Sequence, residues 1–517
     1  MREPDRRAVL LGAVAATAAA LSRSAAQPAE RPNVVIIHCD ELSFRALGCY
    51  RAQLPAEQAR VWGAKAQLDT PNIDRIASAG VLCDRFFAAS PVCTPSRAAF
   101  VSGRYPQNTG AIANDQPMRD EVETFAAVLQ RAGYATGYAG KWHLDGQARP
   151  GWAPKRQFGF GDNACMFNRG HYKQLKDTPQ GPRVKAVNAQ GQPTYDVKGA
   201  DATSFTTDFL TDKTLAFIER HAAAPFAWMV SFPDPHNPNT VRPPYDTMFE
   251  EVTFEEPKSA HQVPADLPAW AQPAAERFNQ RGMQQYFGMV RCIDDNVGRI
   301  LAALDRLKLT ERTILVFTAD HGDMCGEHGR NNKGTPLETS ARIPLLIAAP
   351  GRLRPGSVSR AALTNADFKP TLLGLLGLRG DGHDEGRDAS ALLAGGQPPA
   401  GWRDEAMVRF GGADGASGWF GVFTPSHKLV LSHDDPPCLF DREADPFELR
   451  NLAQEPAQRD RVRTLARSLR EHTTRYGEPL LTAAPVKADL DWCVDGTDAY
   501  RSTHGPRRRP AAADGDE

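Results

Sequence analysis

The chain has no CxxC pair, and its nine cysteines, an odd number, are scattered over 517 residues. That excludes a dense disulfide framework and leaves most thiols as small core residues, even in an exported protein. Cys438 and Cys493 could pair. Net charge is nearly absent, with 61 Lys and Arg against 62 Asp and Glu. A nucleic-acid partner or an anionic membrane surface is therefore not implied. The basic run Arg507-Arg508-Arg509 reads as a solvated, disordered end. No apolar stretch is long enough for a membrane span, since Ala8 to Leu21 is too short and too rich in alanine. No internal repeat is visible.

The first residues read as an address. Arg6-Arg7 precede the Ala/Leu-rich stretch, and Ser24-Ala25-Ala26 offers small residues for cleavage after Ala26. Paired arginines suggest twin-arginine export of a folded protein to the periplasm or beyond. Residues 1–26 are accordingly expected to be a signal peptide.

The length suggests one large domain plus a smaller one. Val34–Ile37, Ala135–Ala139, Phe226–Ser231, Ile314–Thr318 and Pro344–Ala348 are short apolar runs that read as buried strands. Helical patterns lie between them, at Asn72–Ala79, Thr124–Ala132, Asp208–Ala222, Met283–Leu307 and Phe368–Leu376. This alternation predicts an α/β fold with a large, mostly parallel central sheet flanked by helices. Gly and Asp crowd Leu378–Gly396, so a boundary is expected there. Ala406–Arg409, Trp419–Thr424 and Lys428–Ser432, followed by a helix at Ala457–Glu471, predict a smaller C-terminal α+β subdomain with an antiparallel sheet. The expected division is residues 27–385, 386–475 and a partly disordered tail, 476–517. Asn168–Thr203 and Pro238–Pro273 read as long excursions that shape access.

Ligands of open α/β sheets gather at the carboxyl ends of strands. Four predicted strands each lead directly into reactive side chains: Asp40-Glu41, then Lys141 and His143, then Asp234 and His236, then Asp320-His321. A charged residue at one strand end is ordinary, but four together describe a convergent site. Adjacent acids repel unless a cation lies near. Mostly oxygen donors with one imidazole suit Ca²⁺, with Mg²⁺ or Mn²⁺ as alternatives.

Cys93-Thr94-Pro95-Ser96-Arg97 adds a fifth contribution. Thr94 suits an N-cap and Pro95 the first helical position, with Gly103 as the stop. A cysteine at a helix start is expected to have a lowered pKa. Read alone, it is better explained as a small core residue. The full pentad, with Ser102-Gly103-Arg104 after it, resembles the signature of the type I, formylglycine-dependent sulfatases of the alkaline phosphatase superfamily. Further stretches share the resemblance: Asp40-Glu41-Leu42 with Leu47-Gly48-Cys49-Tyr50, Gly140-Lys141-Trp142-His143, Pro235-His236, Thr318 to Asp323, Lys333-Gly334, Ala341-Arg342-Ile343-Pro344, and Leu439-Phe440-Asp441 through Ala453. Many members of that family carry Asp where this chain has Glu41, and many carry Asn where it has His321.

The resemblance implies a sulfuric ester hydrolase. Cys93 would be converted by a formylglycine-generating enzyme, and a hydroxyl of the hydrated aldehyde would attack sulfur. Asp40, Glu41, Asp320, His321 and residue 93 would hold the metal. Lys141 and Lys333 would bind sulfate oxygens, Arg97 would brace residue 93 and the carboxylates, His236 would protonate the leaving alcohol, and His143 would accept the proton released as the aldehyde re-forms. The substrate would be a small-molecule or carbohydrate sulfate ester. Two rival readings are a phosphonate monoester or phosphodiester hydrolase with the same nucleophile, and a non-catalytic binder of sulfated glycans. Asp234, Asp323, His328 and Glu338 read as supporting residues. Arg169 and His171, in the first excursion, have only their location to suggest contact with substrate.

Overall fold

The computed structural model describes residues 31–274 and 278–505. The expected signal peptide and the Arg507-Arg508-Arg509 run lie outside the described residues. Eight strands make the main sheet: β1 (Asn33–Asp40), β2 (Val81–Cys83), β3 (Ala135–Lys141), β4 (Asp162–Phe167), β5 (Phe226–Pro235), β6 (Thr313–Ala319), β7 (Leu345–Ala348) and β8 (Ser357–Ser359). Their spatial order is β8-β2-β7-β6-β1-β5-β3-β4. Every pairing is parallel except the two made by β7.

All five expected apolar runs are strands of this sheet, because a parallel strand covered on both faces must be apolar along its length. Every residue of β1, β5 and β6 is buried. Val35 sits opposite Trp228 on β5 and Leu315 on β6, which fixes the register of the three central strands. β2, β4 and β8 have no such run and were not expected.

Helices α1 (Pro71–Ala79), α2 (Cys93–Ser102), α3 (Phe125–Arg131), α4 (Thr206–His221), α5 (Gln280–Arg306) and α6 (Phe368–Leu376) belong to the same body. Thr124 caps α3 by accepting the Ala127 N–H at 3.1 Å. The start of α2 departs from expectation. Cys93, not Pro95, is its first residue, and Val92 stands at the cap with no side-chain bond. The polar cap comes from elsewhere: the Thr94 N–H donates to Asn114 Oδ1 at 3.1 Å. The Thr94 hydroxyl donates to the His143 carbonyl at 3.0 Å. Gly103 ends the helix as expected, at φ 71°.

The C-terminal sheet is β9 (Ala406–Phe410), β10 (Trp419–Phe423), β11 (His427–Ser432) and β12 (Cys438–Asp441), an antiparallel meander. One face packs on α7 (Arg459–Tyr476) and α8 (Ala484–Asp495), with Val422, Leu429 and Leu431 against Val462, Leu469 and Leu490. Helix α8 falls in the segment expected to be tail; its buried Val486, Leu490 and Val494 make it part of this core. A second apolar cluster joins Trp419, Val408 and Phe440 of the small sheet to Phe87 and Ala341 of the main body. All nine cysteines are free, Cys438 and Cys493 included. No helix among the described residues is long and apolar enough to cross a membrane.

Two outcomes follow from this packing. Leu490→Ala should cost about 2–5 kcal/mol, read by denaturant unfolding, because α8 fills a core; a tail residue would cost almost nothing. His38 on β1 is fully buried against Phe100, with no hydrogen-bond partner for its ring among the described residues. Burial, helped by Arg97, lowers its pKa to about 3. Between that value and the ordinary 6.5 the unfolded chain binds the extra proton, so stability falls with acidification across this window. His38→Leu should therefore reduce the slope by up to about 1.4 kcal/mol per pH unit between pH 4 and 6.

Candidate active site

The four central strands β6, β1, β5 and β3 are neighbours and point their carboxyl ends the same way. Asp40 ends β1, Lys141 ends β3, His236 follows β5, and Asp320-His321 follow β6. Gly140 lets β3 approach β5 closely, since a Cβ there would lie 1.9 Å from the Ser231 carbonyl oxygen. Glu41 and His143, next to these ends, have φ of 59° and 61°. Such backbone costs about 1–3 kcal/mol and persists only where its surroundings enforce it.

Arg97, from the middle of α2, joins the strand ends. Its Nε and Nη2 each lie 2.9 Å from Asp320 Oδ2, and Nη2 lies 3.3 Å from Asp40 Oδ2. Nη1 donates to the Lys141 carbonyl at 2.6 Å and to Ser231 Oγ at 2.8 Å. The other oxygen of Asp320 accepts the Glu41 N–H at 3.0 Å and the His321 N–H at 2.8 Å. Burial by itself would raise Asp40, but Lys141 at 2.6 Å and Arg97 hold its carboxyl well below the usual range.

Cys93 stands in this group. Its Sγ lies 3.3 Å from His321 Nε2, 3.6 Å from Lys141 Nζ and 3.7 Å from Asp40 Oδ1. The expected lowering of its pKa does not occur. The side chain is wholly buried beside a carboxylate, and burial first, Asp40 second, push the thiol up. Asp40, Cys93, Asp320 and His321 each offer one ligand atom, and these atoms all lie within 4.8 Å of one another.

The remaining expected residues form a second knot. His236 Nε2 lies 2.6 Å from Lys333 Nζ and 3.1 Å from Glu41 Oε2, and Lys333 lies 3.3 Å from the same oxygen. Glu41 is thus outside the four-residue group, with its carboxylate turned to Lys333 and His236. Burial raises its pKa well above the usual value against the pull of Lys333, and its Oε1 has no hydrogen-bond partner among the described residues. Burial, then His171 and Lys333, lower His236. His143 Nε2 lies 3.2 Å from Asp115, which also binds Arg169 at 2.5 Å.

Asp234 pairs with Lys173 at 2.7 Å, and Lys173 also donates to the His236 carbonyl at 3.4 Å. Asp323 accepts the Asn332 N–H at 3.0 Å and so shapes the loop before Lys333. His328 Nε2 reaches the Phe447 carbonyl at 2.7 Å, and Glu338 binds Arg442 at 2.6 Å. His171, which the sequence marked only by its location, lies inside the site. It is 4% exposed, and its ring stacks on His236 at 3.6 Å between centroids.

A family model described as Sulfatase matches residues 32–378, and one described as N-sulphoglucosamine sulphohydrolase, C-terminal, matches residues 326–475. The N-acetylglucosamine-6-O-sulfatase of Bacteroides thetaiotaomicron is 25% identical, over 90% of this chain and 91% of its own. The ulvan-active sulfatase of Formosa agariphila is 28% identical, over 82% and 78%. A solved structure in complex with its substrate D-glucosamine-2-N,6-O-disulfate superposes with a TM-score of 0.72 at 23% identity, covering 86% of this chain and 98% of that one. The match over most of the chain, on the fold just described, makes this protein a member of the sulfatase family and a sulfuric ester hydrolase.

Proposed function

We propose that this sulfatase hydrolyses the sulfate ester of a sugar, with residue 93 acting as formylglycine beside a divalent cation. The observation that carries this reading is that the donor atoms of Cys93, Asp40, Asp320 and His321 all lie within 4.8 Å of one another. A thiol whose pKa is raised by burial is a poor nucleophile, whereas the hydrated aldehyde of formylglycine supplies a hydroxyl at the same place. A formylglycine-generating enzyme would make the conversion, and Arg6-Arg7 fit export of the folded product to the periplasm.

The donor set fits a hard cation. Two carboxylates supply oxygen, and Arg97 keeps both in place without filling their outer oxygens. His321 Nδ1 lies 2.9 Å from the Gly322 carbonyl, so Nδ1–H donates there and the lone pair of Nε2 faces the group. Burial lowers the pKa of His321, which keeps the ring neutral as a ligand must be. Ca²⁺ suits this oxygen-rich set, and Mg²⁺ or Mn²⁺ would take the same donors. A cation held by Asp40, Asp320, His321 and residue 93 would supply Lewis acidity at this place. Glu41, turned to Lys333, holds that lysine instead of serving as a core ligand.

Lys141 and Lys333 hold sulfate oxygens where negative charge gathers. His236 donates Nδ1–H to the Asn237 carbonyl at 2.9 Å and presents Nε2 to Lys333. The proton shared in the Lys333, His236 and Glu41 knot passes to the departing alcohol oxygen. Asp115 orients His143 to accept the proton released at residue 93. A cavity of about 300 Å³ opens beside His236 and Lys333, lined by Ile112, Asn114, Asn237 and Phe410 among others. Amide groups with an apolar wall suit one sugar ring, in keeping with the sulfated sugars of the relatives.

Mass spectrometry of the tryptic peptide Phe86–Arg97 from active protein should show formylglycine at residue 93. Cys93→Ala should lower kcat/KM on a sulfated sugar by at least about 10³-fold, and exhaustive chelation should abolish turnover until Ca²⁺ is restored. Active material that keeps a plain thiol at residue 93, or that works undiminished after chelation, overturns the reading.

A further inference from the structure

We propose that His171 is a positioning residue of the sulfate-binding site, one that holds the Lys141 ammonium and the plane of the His236 ring. This rests on the roles proposed above for Lys141, Lys333 and His236. His171 Nε2 lies 2.7 Å from Lys141 Nζ and 3.6 Å from Asp40 Oδ2. Lys141 has three N–H groups and no acceptor. Asp40 Oδ2 takes one at 2.6 Å and His171 Nε2 takes another, while Cys93 Sγ at 3.6 Å faces the third. Asp40 and His171 hold the ammonium from two fixed places, and an N–H is kept toward residue 93, where the sulfate would sit.

The other half of the role is the stack. The rings of His171 and His236 are 8° from parallel with centroids 3.6 Å apart. Asp40, His171 and His236 also bring their ligand atoms within 4.8 Å of one another, which raises the question of a second metal. The stack argues against it. A metal-binding lone pair lies in the imidazole plane, and two parallel planes 3.6 Å apart cannot both aim at one ion at about 2.0–2.1 Å. Instead each ring faces its own lysine: His171 meets Lys141, and His236 meets Lys333 at 2.6 Å. The stacked pair therefore sets the spacing of the two ammonium groups.

The test compares wild type with His171→Phe, His171→Gln and His171→Ala, in steady-state hydrolysis of p-nitrophenyl sulfate and in binding of inorganic sulfate by calorimetry. Phe keeps a ring for the stack but removes the acceptor, so KM and the sulfate Kd should rise about tenfold with kcat less affected. Gln restores an acceptor without the ring, so KM should stay within about threefold of wild type while kcat falls. Ala should lose both. A merely structural residue would not divide its effects in this way. If Phe leaves KM and Kd within about twofold of wild type, or Gln is no better than Phe, the inference fails. Should the Phe variant not fold, Ala against Gln makes the same comparison, since only Gln supplies the acceptor. A wild-type protein inactive on every sulfate ester would overturn the proposed function instead, and that outcome is distinct from active enzyme whose His171 variants match it.

Discussion

Asp40 and Asp320 end up side by side and fully buried at the ends of neighbouring strands, and Arg97 bridges the two while Lys141 adds the stronger pull on Asp40. Each carboxylate taken alone would cost several kcal/mol to desolvate, by an order-of-magnitude argument of about that size. The planar guanidinium presents five donors in one rigid fork, which suits it to several fixed partners at once. Its remaining donors go to the Lys141 carbonyl and to Ser231. One side chain from α2 therefore ties down the ends of all four central strands, and it lies four positions along the same helix from Cys93. Residue 93, the candidate cation site and the strand ends share one mechanical anchor.

Around that anchor the balance of charge is local. The whole chain is nearly neutral, yet Arg97, Lys141 and Lys333 converge on this small volume. Burial keeps the imidazoles from adding to them: His171 is lowered to about 3 by burial and by Lys141, and His236 is lowered as well. Neutral rings can accept hydrogen bonds from ammonium groups, which charged rings cannot. The site thus pairs each lysine with a neutral histidine, Lys141 with His171 and Lys333 with His236. That arrangement suits a sulfate group better than a diffuse basic surface would, because the donors are fixed before the ester arrives.

Much of this was legible in the sequence because parallel strands buried on both faces leave unbroken apolar runs, and the polar residues that follow those runs mark the functional edge of the sheet. Asp40, Lys141, His236 and Asp320 were found in that way. Short edge strands such as β2 and β8 leave no comparable run. Three failures share a cause in tertiary contact. The cap of α2 comes from Asn114, outside the helix, so Thr94 misled as a local signal. The Cys93 thiol is raised and not lowered, because the helix start is buried against Asp40. Glu41 has one methylene more than Asp and follows a left-handed backbone, and its carboxylate reaches Lys333. His171 had no signal beyond its place in the excursion for the same kind of reason, since only the folded path brings it to Lys141.

Lys333 raises a different issue, because it stands on a loop and not at a strand end. Its position depends on the C-terminal sheet. Trp419 on β10 donates its indole N–H to the Gly334 carbonyl at 2.9 Å, and Lys428 on β11 donates to the Pro336 carbonyl at 2.8 Å. A few residues on, Glu338 lies 2.6 Å from Arg442 and 3.2 Å from Lys428. Burial alone would raise Glu338, but Arg442 and Lys428 hold it well below its ordinary value. A buried network of this kind is costly unless complete, so it specifies one seating of the small sheet on the large one. The smaller unit is therefore not an appendage to a finished site. By fixing the chain at residues 334, 336 and 338, it sets where the Lys333 ammonium meets His236.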